Sequence, residues 1–224
     1  MLLFSHQEAL FNMAKPSEPN WRKVLAEIWI LEKNQTFNKN VDPIDKDALR
    51  IQRLTNIGNL EKKKLVLRDS DGHVKVTNKG RKQFKVVMAG GAFDIIHPGH
   101  IETLEKAKAL GDILVVSVAR NATIERSKGR KPVHDEKLRR KLVESIKPVD
   151  IAVLGSENDI FETVDLLRPD IIALGYDQTH SEEKMQLEVR KRGFDISVVR
   201  LDSSVPGIKT SKIMATNSDL ISST

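Results

Sequence analysis

The sequence predicts an α/β protein: a doubly wound, parallel, five-stranded sheet over residues 85–224, preceded by a smaller α+β unit over residues 1–84. Three observations predict it. From residue 84 onward, short continuous apolar runs alternate with amphipathic helical segments, the pattern of repeated β-α units. The first of those runs ends in a glycine-rich loop that leads into a proline-started helix. The charge is also divided. Residues 1–84 hold 16 Lys and Arg against 10 Asp and Glu, whereas residues 85–224 hold 21 of each, so the whole net charge of +6 lies in the first part. Such an asymmetry suggests two units with different partners.

The elements follow in order. Residues 21–32 place Trp21, Val24, Leu25, Ile28 and Leu31 at helical spacing. Asn34 to Pro43 is polar and reads as a turn. Asp45 is placed to cap a helix through 46–63, or two shorter helices broken near Asn56–Gly58. Two short alternating runs then flank Asp71–Gly72, a hairpin signal. Strands are expected over 84–90, 112–119, 149–155, 170–175 and 195–201, since each is an apolar run suited to a sheet covered on both faces. Helices are expected over 98–111, 135–147, 158–170, 180–193 and 210–222.

Composition narrows the function classes. Hydrophobic residues are 39% and charged residues 30%, as in ordinary globular chains. No apolar run approaches the ~18 residues of a membrane helix, so no membrane partner is expected. The first ten residues do not read as a secretory signal. The absence of cysteine excludes disulfides, thiolate metal sites and cysteine nucleophiles, and fits the cytoplasm.

Residues 1–84 resemble a winged helix-turn-helix: helices, then a small basic hairpin closing as L-V-x-x-x-x-x-G-x-V-K-V-T-x-K-G from Leu65 to Gly80. The resemblance implies DNA as a partner of this unit, with packing or dimerisation as the alternative.

The chemistry concentrates after the first sheet strand, in Gly90–Gly91–Ala92–Phe93–Asp94–Ile95–Ile96–His97–Pro98–Gly99–His100. Glycines let backbone approach a ligand closely. Pro98 suits the first turn of a helix, whose N-terminus favours a phosphate. His97 and His100, three apart around that start, can point into one pocket. Asp94, His97 and His100 could instead chelate a metal, or the histidines could only cap the helix. The Pro–Gly insert and the glycines favour phosphate. The remaining histidines, His6, His73, His134 and His180, show no partner pattern and read as surface residues.

The run G-x-F-D-x-x-H-x-G-H resembles the cytidylyltransferase-like nucleotidyltransferase superfamily, over residues 84–214, and implies its Rossmann-like fold. The resemblance assigns His97, His100, Lys131 and Arg139 to catalysis, the last two on the triphosphate. It assigns Gly91, Ala92, Phe93, Asp94 and Gly99 to nucleotide binding, with Gly175, Tyr176 and Asp177 beside the base and ribose. Lys209, Thr210 and Ser211 would hold the β- and γ-phosphates.

Within the superfamily, V-A-R-N-A-T, K-G-R-K-P, I-K-P-V-D and G-x-D-Q-T look most like archaeal FAD synthases. That implies transfer of AMP from ATP to FMN, giving FAD and pyrophosphate, with Mg2+ or another divalent metal. It implies no protein-bound metal site. The alternatives are CTP or ATP with glycerol phosphate, another phospho-alcohol or a sugar phosphate, or a DNA-binding regulator with a nucleotide-sensing domain. Members are commonly homodimers. Two departures stand out: Ser204 occupies a frequent arginine position, and Lys209 replaces a hydroxyl residue.

Overall fold

The computed structural model describes residues 21–37 and 57–203, with Gly207, Thr210 and Ile213 beyond them. They group into two compact units that part between Gln83 and Phe84, with residues 30–37 grouped with the second.

The first unit holds α1 (Trp21–Phe37), which continues into the second, then α2 (Ile57–Lys62), β1 (Val66–Arg68), β2 (Val74–Val76) and α3 (Asn78–Arg81). Val24, Leu25 and Ile28 are buried, as their spacing predicts, and Trp29 joins them. The helix runs through Phe37, past the turn expected from Asn34. The hairpin is antiparallel, with Val66 opposite Val76 and Arg68 opposite Val74. Its loop is longer than the two residues Asp71–Gly72. Asp69 Oδ1 closes it by accepting from the amides of Asp71 (3.1 Å) and His73 (2.9 Å), an Asx-type turn. Thr77 caps α3 by accepting from the Gly80 amide. Gly80 is required there, because a Cβ would lie 2.1 Å from the Leu65 carbonyl oxygen. Of the helix expected through 46–63, residues 57–62 form α2, and residues 46–56 lie outside the described residues.

The second unit is built on β3 (Val86–Gly91), α4 (Pro98–Lys108), β4 (Ile113–Val118), α5 (Asn121–Lys128), α6 (Glu136–Glu144), β5 (Ile151–Leu154), α7 (Ile160–Leu167), β6 (Ile171–Leu174), α8 (Glu182–Lys191) and β7 (Ser197–Arg200). The five strands form one parallel sheet in the order β5-β4-β3-β6-β7. The chain starts in the middle, winds outward one way, and returns to wind the other. This is the Rossmann-like α/β arrangement the apolar runs predict. β4 is buried along its whole length, as both-face cover requires. Helix α4 packs on β3 and β4, α6 on β4 and β5, and α8 on β7.

Strand entry is held by aspartates that precede three of the strands. Asp112 accepts from the Lys85 amide (2.7 Å), Asp150 from the Leu114 amide (2.6 Å) and Asp170 from the Val86 amide (2.7 Å). Each carboxylate satisfies an N–H at the entering end of a neighbouring strand, where the ladder leaves it open. Helix α5 has no counterpart among the expected elements. Of its residues only Ile124 is buried, so its sequence carries little periodicity. The helix expected over 210–222 falls almost wholly outside the described residues.

Candidate nucleotide site

The order of strands puts a crevice at the carboxyl ends of β3 and β6, where the connections diverge. The loop after β3 enters it. Phe93 adopts a left-handed backbone (φ 49), uncommon for a bulky residue and costing about 1–3 kcal/mol. That turn tucks its buried ring back over Gly91, where a Cβ would meet ring carbons at 2.8 Å. The Phe93 ring also meets the His100 ring, with centroids 5.1 Å apart and planes tilted by 51°.

His97 is the N-cap of α4, with no side-chain capping bond, and Pro98 supplies the first helical residue. The rings of His97 and His100 stack with centroids 3.9 Å apart and planes 25° from parallel. The Nδ1 atoms of both are buried and have no hydrogen-bond partner among the described residues. Burial pushes the His100 imidazole down to about 4, assisted by the positive fields of His97 and Lys128 and opposed by Asp177. His97 is lowered by burial too, again opposed by Asp177. Both rings are shifted toward the neutral form, in which an imidazole offers one N–H donor and one acceptor. Two neutral imidazoles beside a helix N-terminus suit an anion whose charge grows during reaction.

Asp94 does not join them. It is 1% exposed, and its carboxylate accepts from Arg130 Nη1 (2.9 Å), the Val133 amide (2.7 Å) and the His134 amide (3.2 Å). Burial raises its pKa, but these donors outweigh it and hold the carboxyl below its ordinary value. Both oxygens of Asp94 thus accept hydrogen bonds from within the protein. Among the described residues the grouping with metal-ligand spacing is Asp69, Asp71 and His73 on the hairpin loop, where Asp69 already pairs with Lys75. His134 is likewise not a bare surface residue: its Nδ1 lies 2.8 Å from the Asp94 carbonyl oxygen.

Arg139, expected on the triphosphate, is engaged in internal hydrogen bonds. It is fully buried. Nε donates to the His134 carbonyl (2.9 Å), Nη1 to the Ala92 carbonyl (2.6 Å) and Nη2 to Asn121 Oδ1 (2.9 Å). It therefore ties the glycine-rich loop, the start of α5 and the 130–134 segment together. Lys131, on the segment that Asp94 and Arg139 hold, is exposed. Gly99 is buried in the first turn of α4.

The far wall of the crevice is the loop after β6. Gly175 is buried, Tyr176 half-buried and Asp177 exposed. Gln178 Nε2 donates to the Gly90 carbonyl (2.5 Å) and its Oε1 accepts from the Gly175 amide (3.2 Å), so this loop is fastened to the end of β3. Thr210 Oγ1 donates to the Ile95 carbonyl (3.2 Å), which brings that residue to the loop after β3. Lys209 and Ser211 lie outside the described residues. Sequence reasoning missed Arg130, Asn121, Gln178 and Arg200 as organisers of the site. Asn121, Arg130 and Gln178 lie within the V-A-R-N-A-T, K-G-R-K-P and G-x-D-Q-T runs, whereas no quoted run contains Arg200.

A doubly wound sheet with a glycine-rich loop and an imidazole pair at its topological switch point is a nucleotide-binding α/β unit. The family model described as cytidylyltransferase-like matches residues 88–224, and the chain belongs to that family. It is 54% identical over 127 residues to the FAD synthase of Aciduliprofundum boonei, covering 55% of this chain and 85% of that one. It is 53% identical over 117 residues to the FAD synthase of Ferroglobus placidus, covering 52% and 76% respectively. Among solved structures, it resembles the lipopolysaccharide core biosynthesis protein from Thermoplasma volcanium (TM-score 0.52, 46% identity), covering 54% of this chain and 98% of that one.

Proposed function

We propose that this chain transfers the adenylyl group of ATP to the phosphate of FMN, giving FAD and pyrophosphate. The identity to two FAD synthases supports the acceptor. The observation that carries the chemistry is the stacked, neutral pair His97–His100 with unpartnered buried Nδ1 atoms.

An FMN phosphate oxygen attacks the α-phosphorus of ATP, the bond to the bridging oxygen breaks, and pyrophosphate leaves with that electron pair. A phosphate monoester is already ionised near neutral pH, so no general base is needed. His97 and His100 donate to oxygens on which charge develops, while the start of α4 adds its positive end. Lys131, presented by the segment that Asp94 and Arg139 hold, faces the leaving phosphates. Lys209 and Ser211 extend that set in this reading.

Mg2+ prefers oxygen donors. Imidazoles suit it poorly and Asp94 is occupied, so the fit is through the triphosphate's oxygens, with Asp177 as the carboxylate whose field reaches both rings. When bound, the ion neutralises charge on the departing pyrophosphate.

The test is an acceptor and nucleotide panel. ATP or CTP with Mg2+ is offered FMN, glycerol phosphate and sugar phosphates, and FAD and pyrophosphate are measured. FAD is expected from ATP and FMN alone. No FAD under any nucleotide overturns the reading, and turnover of a sugar phosphate would move the acceptor toward that class.

We also propose DNA as a partner of residues 1–84. Exposed Lys62, Lys63, Lys64, Lys79 and Lys82 support it. A gel shift that weakens steeply with salt is expected, and no shift removes the proposal. A homodimer, expected from the family resemblance, is checked by sedimentation. No described helix is long and apolar enough to cross a membrane, and we place the reaction in the cytoplasm.

A further inference from the structure

Arg200 ends β7 and lies opposite Leu174, the last residue of β6. It is half-buried at the point where the chain leaves β6 for the 175–180 loop. Its Nη1 donates to the carbonyls of Gly175 (2.9 Å) and Gln178 (3.2 Å), and its Nη2 donates to the carbonyl of His180. One planar guanidinium thus gathers three carbonyls of a single loop. A lysine ammonium, a point donor on a flexible stem, cannot reproduce that fork. The constraint does not stop at the loop. Gln178, whose carbonyl Arg200 holds, reaches the Gly90 carbonyl through its own amide and accepts from the Gly175 amide. Gly90 precedes the glycine-rich turn that leads to His97. Tyr176 and Asp177 lie between the two carbonyls that Arg200 Nη1 holds.

We infer that Arg200 is a positioning residue for the nucleotide: through Gly175, Gln178 and His180 it fixes the loop that faces the histidine pair, so that Tyr176 and Asp177 form a preorganised wall of the nucleotide pocket. The inference rests on the proposed nucleotidyl transfer for the identity of the ligand. Arg200 touches no substrate itself. Without it, the nucleotide must order the loop on binding, and affinity falls by that cost.

The test compares Arg200→Lys and Arg200→Ala with the unaltered chain. It uses steady-state kinetics with each substrate varied in turn, calorimetric titration with ATP alone, and thermal denaturation. In both variants the KM and Kd for ATP rise about tenfold, while kcat and the KM for FMN change by less than about threefold. Gln178→Leu, which breaks the same chain of contacts at its other end, shifts ATP binding in the same direction. Folded variants with unchanged ATP affinity overturn the inference, as does a lowered melting temperature with no separation between ATP and FMN constants. An unaltered chain that binds ATP yet forms no FAD refutes the FMN reading while leaving the role of Arg200 measurable by titration.

Discussion

Two buried polar clusters lie within a few residues of each other, and they are treated oppositely. In the first, Asp94 and Arg139 are almost wholly removed from solvent, and each has three hydrogen-bond partners inside the protein. In the second, His97 and His100 have buried ring nitrogens with no partner among the described residues. An unsatisfied buried polar atom costs about 1–3 kcal/mol. The satisfied cluster builds the loop. The unsatisfied one is the cluster that the proposed reaction uses.

The sharpest way to break this distinction is His100→Ala. Turnover is expected to fall about 10²–10³-fold with the melting temperature retained, as for other preorganised donors. A loss of stability with near-normal turnover would place His100 in the first cluster. Arg139→Met should behave the other way. It leaves the Ala92 and His134 carbonyls and Asn121 without their donor, and stability should drop by about 3 kcal/mol or more in urea denaturation. Unchanged stability would return Arg139 to a substrate-facing role.

Lys131→Ala gives a smaller effect. The KM for ATP should rise about fivefold without change in stability, because an exposed lysine contributes only charge at the rim. An unaltered KM would make Lys131 part of a solvated basic segment. The smallest effect concerns pH. The folded pKa of His100 is lowered to about 4 from an ordinary 6.5. As pH falls, the unfolded chain takes up that proton first. The stability tied to neutral His100 is therefore complete above about 6.5 and lost progressively toward 4. Denaturation midpoints at pH 7 and pH 5 should differ less in His100→Gln than in the unaltered chain.

The same contrast separates what the sequence discloses from what it hides. The strands and their order of appearance are readable because runs such as Val86–Val87–Met88–Ala89 have one use in a covered sheet. The histidine pair is readable because Pro98 and the glycines fix its context. The burial of Arg139 is not, because helix α6 inverts the usual polarity. Arg139 and Val143 are fully buried, whereas Leu138 is 55% and Leu142 is 44% exposed. A pattern rule puts leucine inward. Here the inward face meets the carbonyls of Ala92 and His134, which require a donor rather than a methyl group. Arg200 stayed hidden for a similar reason: its partners are backbone carbonyls, which any sequence could present. For Asp94, residue type alone does not tell an internal hydrogen-bond acceptor from a ligand-facing one.

The tuck of Phe93 over Gly91 carries a consequence for inheritance. A side chain at position 91 would need the space the ring occupies, and the ring cannot swing freely because it also borders His100. Positions 91 and 93 are thus a single choice written in two codons. Gly91→Ala alone should be damaging. Its damage should shrink when Phe93 is first replaced by a smaller residue, so that the order in which the two changes arrive decides whether a lineage can pass between them.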